Sequence, residues 1–264
     1  MPNPHPPSLL KQFTNYTNSG VGLENFLRLI QSICQVISAS AVSATEAKPW
    51  TIAWTNLALS RRYFRYFQFI DCFERTWAVF SGQDAISAGG YVLRTMAVGE
   101  WSCLGGYLLL EAFTILDALN IYPTPWAEQV LLESYKLWFY SMVFASVGIT
   151  WQLFVPVSSP KSQDTKAKSV EQEDEKKGSK KGNEKSNPGE SEVATGGGGN
   201  SNSNTNTVRL LTELAILGCD ILIPAQALGW LNVDDLTVSS AAVLSTLLMG
   251  KDKWVKVQAQ VGAL

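Results

Sequence analysis

From Leu137 to Ser159 the chain runs for 23 residues without a charged side chain, and this run limits the available folds more than any other feature. It is rich in Trp, Phe, Val, Met and Leu, is flanked by Lys136 and Lys161, and carries Trp138 and Trp151 near its ends. A helix of about 20 apolar residues crosses the hydrocarbon core of a bilayer. Trp favours the interface, where an apolar ring meets water at its polar edge. Residues 137–157 therefore form a candidate span; a buried core helix has the same pattern and stays open. Two further apolar segments are weaker. Trp101–Leu119 is interrupted by Glu111 and Asp117, and Leu236–Gly250 has only 15 residues. One to three hydrophobic segments are expected.

Charge is distributed unevenly. Residues 158–207 hold eight Lys and eight acids, whereas the other 214 residues hold only 28 charged side chains, roughly 13%. Soluble domains run nearer 25%, so the folded part is poor in charge, and it carries all nine Trp. The net charge of −2 gives no basic field with which to displace counterions, so no nucleic acid is expected as a partner. Cys34, Cys72, Cys103 and Cys219 are scattered without CxxC pairing and read as reduced structural residues. No secretory signal is visible in MPNPHPPSLL, and Val261-Gly262-Ala263-Leu264 is not a Ser-Lys-Leu address.

Periodicity divides the chain into helices. Leu23, Phe26, Leu27, Ile30, Ile33, Cys34 and Ile37 recur at helical steps inside a region, 9–46, that holds one or two helices. Lys48-Pro49 is expected to interrupt a helix. Further helical stretches run from about Pro49 to Phe80, over roughly 85–120, from Trp126 to about Pro156, and over 208–250 with interruptions at Pro224 and Asn232–Asp235. Residues 1–8 and 158–207 have compositions that bury too little apolar surface to offset ordering, so a disordered tail and a long disordered linker are expected. The class is all-α: a membrane-associated helical bundle with an amphipathic interfacial helix over 57–80. Its N-terminal helical region covers 9–157 and its C-terminal one 208–264.

The most informative stretch is LSRRYFRYFQFIDCFERTW, residues 59–77. Leu59, Tyr63, Tyr66, Ile70, Phe73 and Trp77 are spaced 4, 3, 4, 3 and 4 apart and make one stripe, widened by Phe67 and Phe69. Arg61, Arg65, Gln68, Cys72 and Arg75 follow the same rhythm on the opposite face. An interfacial helix needs this arrangement, with rings at the acyl boundary and guanidinium groups on lipid phosphates. Each basic residue near an anionic surface contributes about 1 kcal/mol; Asp71 and Glu74 reduce the total. A core-facing bundle helix with solvated charges fits the pattern equally.

Catalytic chemistry is hard to place. His5 is the only histidine, and no GxxxxGK[ST] loop or GxSxG elbow occurs, so no catalytic residue, metal or cofactor is expected and the chain does not read as an enzyme. Gly89-Gly90 and Gly105-Gly106 suggest close helix packing. Glu111 and Asp117 lie six positions apart, on different faces, and are expected at a solvated edge or paired with Arg94 or Lys136.

The 59–80 segment, LSRRYFRYFQFIDCFERTWAVF, resembles the amphipathic segment of the peroxisomal biogenesis factor 11 family. RLIQSICQVIS (28–38) resembles the helix before it, CDILIPAQALGWLNV (219–233) the family's C-terminal block, and LTVSSAAVLSTLLMGKDKW (236–254) its last membrane-associated helix. The resemblance implies a peroxisomal membrane protein that promotes peroxisome proliferation, elongation and fission by inserting its amphipathic helix and bending the membrane. It implies self-association, association with other family members, and cooperation with dynamin-type fission machinery. The lipid-contacting set implied by the resemblance is Arg61, Arg62, Tyr63, Phe64, Arg65, Phe67 and Ile70; the helical pattern adds Tyr66, Phe73, Arg75 and Trp77 to the residues expected on an anionic bilayer. Asp220, Pro224, Gly229 and Trp230 are implied to be structural. A channel or transporter for small metabolites is the alternative, and Glu111 and Asp117 are its only evident lining groups.

Overall fold

Serine side chains open each of the first three helices. The computed structural model describes residues 8–83, 90–155 and 201–262. Ser8 accepts the Lys11 amide at 3.3 Å and starts α1, Leu9–Asn18. Ser19 ends that helix and accepts the Gly22 amide at 3.1 Å to start α2, Gly20–Ser40. Ser43, with Glu46 three residues on, caps α3, Ala44–Phe64, a sequence signature of helix starts. There follow α4 (Gln68–Phe80), α5 (Tyr91–Phe113), α6 (Ile115–Ala118), α7 (Ala127–Phe154), α8 (Ser201–Asp220), α9 (Leu222–Ala227) and α10 (Asp235–Gly262). No strand occurs among the described residues, and the all-α class stands.

Several boundaries differ from the sequence expectation. Pro49 lies inside α3 instead of interrupting it. It is the sixth helical residue and exposed, so its missing N–H forfeits one bond near a capped, solvent-facing start. The helix expected over 57–80 is broken at residues 65–67 into α3 and α4. In the C-terminal region the break falls at Ile221, and Pro224 sits in the first turn of α9, where its lack of a donor costs little. The linker expected over 158–207 lies outside the described residues up to 200, but Ser201 already belongs to α8. Once packing fixes a helix, each added Ser, Asn or Thr costs only a few tenths of a kcal/mol. The N-terminal tail lies outside the described residues over 1–7.

The helices pack as two linked groups. In one, α2 lies between α3 and α10, with α1 across α2 and α10; in the other, α5 lies between α4 and α7. Helices α8 and α9 touch both α7 and α10 and join the groups. Helices α5 and α7 run antiparallel, as shown by Gly99 facing Phe144, Gly106 facing Leu137 and Gly148 facing Met96. A stacked Tyr107–Trp138 pair (5.2 Å, 13°) lies in the same register. Gly105-Gly106 serves close packing as expected: a Cβ on Gly105 would lie 3.0 Å from Phe73 of α4, and one on Gly106 would lie 2.9 Å from Leu137 of α7.

Beside an apolar core at Cys72, Tyr107 and Leu108, the helices bury small hydroxyl residues and expose many large apolar ones. Ser134, Ser245 and Thr246 are at most 1% exposed, their hydroxyls returned to carbonyls of their own helices. Phe67, Trp77 and Phe154 are 68%, 66% and 81% exposed. Small residues at helix interfaces and large apolar ones outside are how helices pack in lipid. Helix α7 is the one helix among the described residues long and apolar enough to cross a bilayer, and only 22% of its most apolar window is buried. Its uncharged part, Leu137 to Phe154, is about 27 Å long at 1.5 Å per residue, close to the hydrocarbon thickness.

Gly99→Val drives a side chain into the Phe144 ring and is expected to lower stability by about 1–3 kcal/mol, read as a fall in the thermal midpoint in detergent. Gly218→Ala on α8, where nothing lies within 4 Å, is expected to leave the midpoint unchanged or raise it slightly.

Candidate membrane-contacting face and its polar backing

Helices α3 and α4 are both amphipathic at their junction, and the junction sorts their two faces cleanly. Tyr63, Phe64, Phe67, Ile70, Phe73, Trp77 and Phe80 are all 40% or more exposed. Tyr66 is half-buried and meets Phe67 edge to face at 4.9 Å. The aromatic stripe read from the sequence is thus the outer surface of the molecule.

The arginines opposite it turn inward. Arg61 donates to Glu24 of α2 at 2.7 and 2.9 Å and to Gln31 at 2.8 Å. Arg62 and Arg65 share one carboxylate, Glu111 of α5, at 3.3 and 3.2 Å. Tyr107 donates to the same carboxylate at 3.1 Å. The Arg65 Nε–H is buried and has no acceptor among the described residues. Arg75 alone keeps an exposed position, its guanidinium 4.3 Å above the Trp101 ring. The expectation that Arg61, Arg62 and Arg65 meet lipid phosphate therefore describes groups that, in this conformation, are engaged by Glu24 and Glu111. A helical pattern fixes that two faces differ, not which of them points into the protein.

The polar interior continues toward the C-terminal helices. Lys253 of α10 lies 3.8 Å from the second oxygen of Glu24 and donates to Asn25 at 3.2 Å. Asn25 in turn donates to the Thr246 carbonyl at 3.4 Å. Arg28 of α2 pairs with Asp220 at the end of α8 and reaches Ser245 at 3.3 Å. Burial alone would raise the Glu24 carboxyl, but Arg61 and then Lys253 outweigh it and hold it below the usual range. Sequence reasoning missed Glu24, Arg28 and Lys253. Their partners lie 37, 192 and 229 residues away, and no local signal announces them.

The other implied residues have evident packing roles. Asp220 holds Arg28, Gly229 ends α9 at φ +68°, and Trp230 meets Phe139 of α7 edge to face at 5.1 Å. Glu111 does not pair with Arg94 or Lys136. Arg94 donates to the Phe80 carbonyl and Lys136 pairs with Glu133 at 2.6 Å. Asp117 accepts the Thr124 amide at 2.8 Å and braces the loop before α7. Both carboxylates that a channel lining would use are thus occupied by the fold. Among the described residues no group of three or more His, Cys, Asp or Glu is placed to hold a metal ion.

Large apolar side chains outside, paired charges inside and one helix of spanning length define a membrane-associated helical protein. The sequence model of the peroxisomal biogenesis factor 11 family matches residues 10–254. The chain belongs to that family, and it is a peroxisomal membrane protein of peroxisome biogenesis. Nothing matches among curated proteins, and nothing among solved structures.

Glu24→Gln leaves Arg61 and Lys253 facing each other without a counter-charge and is expected to cost about 2–4 kcal/mol, as when one partner of a largely buried pair is removed. Glu133→Gln, on an exposed pair, is expected to change stability by less than about 0.5 kcal/mol; thermal unfolding in detergent compares the two. The Glu24 contribution is full above the unfolded carboxyl pKa of about 4.3 and is lost as pH falls through the depressed folded value.

Proposed function

We propose that the protein promotes peroxisome proliferation, elongation and fission by seating the aromatic face of α3 and α4 in one leaflet of the peroxisomal membrane. The observation that carries this reading is the row of seven exposed apolar side chains from Tyr63 to Phe80, more contiguous apolar surface than a water-facing helix tolerates. Gln68, Asp71 and Glu74 are also exposed, so α4 keeps one wet side next to its apolar one, which suits the interface more than the bilayer centre. Rings at that depth expand one leaflet relative to the other and favour curvature. In this reading self-association concentrates the effect and dynamin-type fission machinery acts on the narrowed membrane, the two partners that the family resemblance implies. An anionic bilayer is the partner implied by the family resemblance; in this packing Arg61, Arg62 and Arg65 are engaged by Glu24 and Glu111, so the aromatic face carries the contact.

Raising the level of the tagged protein is expected to increase the number or length of peroxisomes labelled with a matrix marker. Phe67→Ser, Ile70→Ser and Trp77→Ser together are expected to abolish that response while the protein still rings the organelle. Unchanged remodelling by the triple variant overturns the role of this face.

A further inference from the structure

The break at residues 65–67 has no cause in its own sequence. Residues 59–77 contain no Gly or Pro, and the apolar stripe from Leu59 to Trp77 passes through the break without changing phase. The geometry is also close to helical. Arg65 and Phe67 have φ/ψ of −101°/2° and −102°/1°, roughly 40° from helix in each angle. The amides of Arg65, Tyr66 and Gln68 still bond three residues back, to Arg62, Tyr63 and Arg65, at 3.0–3.3 Å. A sequence that encodes one helix but forms two is held apart by tertiary contacts: Arg61 ties the end of α3 to Glu24 of α2, Phe69 and Cys72 seat α4 on α5, and at the break itself Arg62 and Arg65 meet Glu111.

That anchorage is incomplete. Two guanidinium groups share a single carboxylate, and the buried Arg65 Nε–H goes without an acceptor. It also sits at a telling depth. With Gly106 opposite Leu137 and Tyr107 opposite Trp138, Glu111 lies about one turn beyond the start of the uncharged part of α7. That is where headgroups would lie if α7 crosses the bilayer. A phosphate diester carries the same single charge as a carboxylate on two free oxygens, and arginine binds both in the same forked geometry. In phosphatidylcholine the choline of the same headgroup offsets that charge, so a lipid of net negative charge is the one that competes with Glu111.

We propose that Glu111 is an internal stand-in for a lipid phosphate: it holds the α3–α4 segment broken, and an anionic headgroup that takes its place on Arg62 and Arg65 lets the segment close into one helix. This rests on the reading that the aromatic face enters the membrane. Because α3 lies on α2 and α4 on α5, closure swings α4 off α5 and withdraws Cys72, now 5% exposed against Tyr107 and Leu108.

The test is hydrogen exchange and Cys72 alkylation on the full chain in phosphatidylcholine nanodiscs, with and without phosphatidylserine, and with inorganic phosphate as a separate arm. Phosphatidylserine is expected to slow exchange of the 65–68 amides roughly tenfold and to speed alkylation of Cys72. Glu111→Gln is expected to do both in phosphatidylcholine alone. Should Glu111→Gln lose protection throughout α5 and α7, the wild-type comparison between the two lipids decides by itself. Identical exchange and alkylation in both lipids overturns the proposal, and a response to inorganic phosphate but not to phosphatidylserine overturns the lipid assignment. Protection of residues 70–77 on transfer from detergent to discs reports the aromatic face separately. If it appears while residues 65–68 stay unresponsive, the latch fails and the membrane-contacting face stands.

Discussion

Two carboxylates, Glu24 and Glu111, are shared among four cations, and the arrangement of the helices depends on them. Glu24 of α2 takes Arg61 from α3 and Lys253 from α10; Glu111 of α5 takes Arg62 and Arg65 from the end of α3. A charge left unpaired away from water is costly, so each carboxylate dictates where its cationic partners' helices must end up. With Arg28 and Asp220, these pairs join helices far apart in the sequence. Apolar contact sets the α4–α5–α7 register, through Tyr107, Leu108 and the Trp138 that stacks on Tyr107, while the ion pairs tie that group to α2, α3 and α10. Many other large apolar side chains are outside.

The helices themselves were legible in the sequence because their causes are local. Helical spacing of Leu23 to Ile37 acts within a turn or two, whereas the serine caps that divide residues 9–46 into α1, α2 and the start of α3 were not anticipated. The aromatic stripe of residues 59–77 was legible too, and two separated blocks sufficed for the family resemblance. The break at 65–67 was not legible, because residues 59–77 hold no Gly or Pro and the groups that meet Arg62 and Arg65 there come from α5. The direction of the arginines was not legible either. A helical wheel is symmetric between a polar face turned to water and one turned to a polar interior, and it takes Glu24 and Glu111, contributed by other helices, to decide. Pro49 misled for the opposite reason: a strong local rule was overridden by a cap and a packed neighbour that the rule does not see.

The antiparallel α5–α7 pair gives the molecule a depth scale. Counting along it from Tyr107–Trp138, the Glu111 cluster lies at the end of α7 where its charged residues Glu133 and Lys136 stand, and Val155 lies at the other end. Arg94 and Phe80, joined by a hydrogen bond, are on the Val155 side, so α4 runs along α5 away from the Glu111 cluster. If α7 crosses the bilayer, α4 in this packing points its Asp71 and Glu74 at depths where exposed carboxylates are disfavoured. That is a physical reason for α4 not to remain against α5 once the protein sits in a membrane.

The same scale constrains the C-terminal helices. The chain leaves α7 at Val155 and re-enters the described structure at Ser201, and all sixteen charges of residues 158–207 lie between. A segment so charged has no place in hydrocarbon, so Val155 and Ser201 belong on one side of any bilayer that α7 spans. Helix α8 then returns alongside α7 toward the Glu111 level, where Trp230 meets Phe139 and Asp220 takes Arg28. The C-terminal block is therefore positioned by the same end of the molecule that carries the arginines. Lys253 of α10 shares Glu24 of α2 with Arg61, which links α10 through that carboxylate to α3, the helix that leads into the aromatic segment.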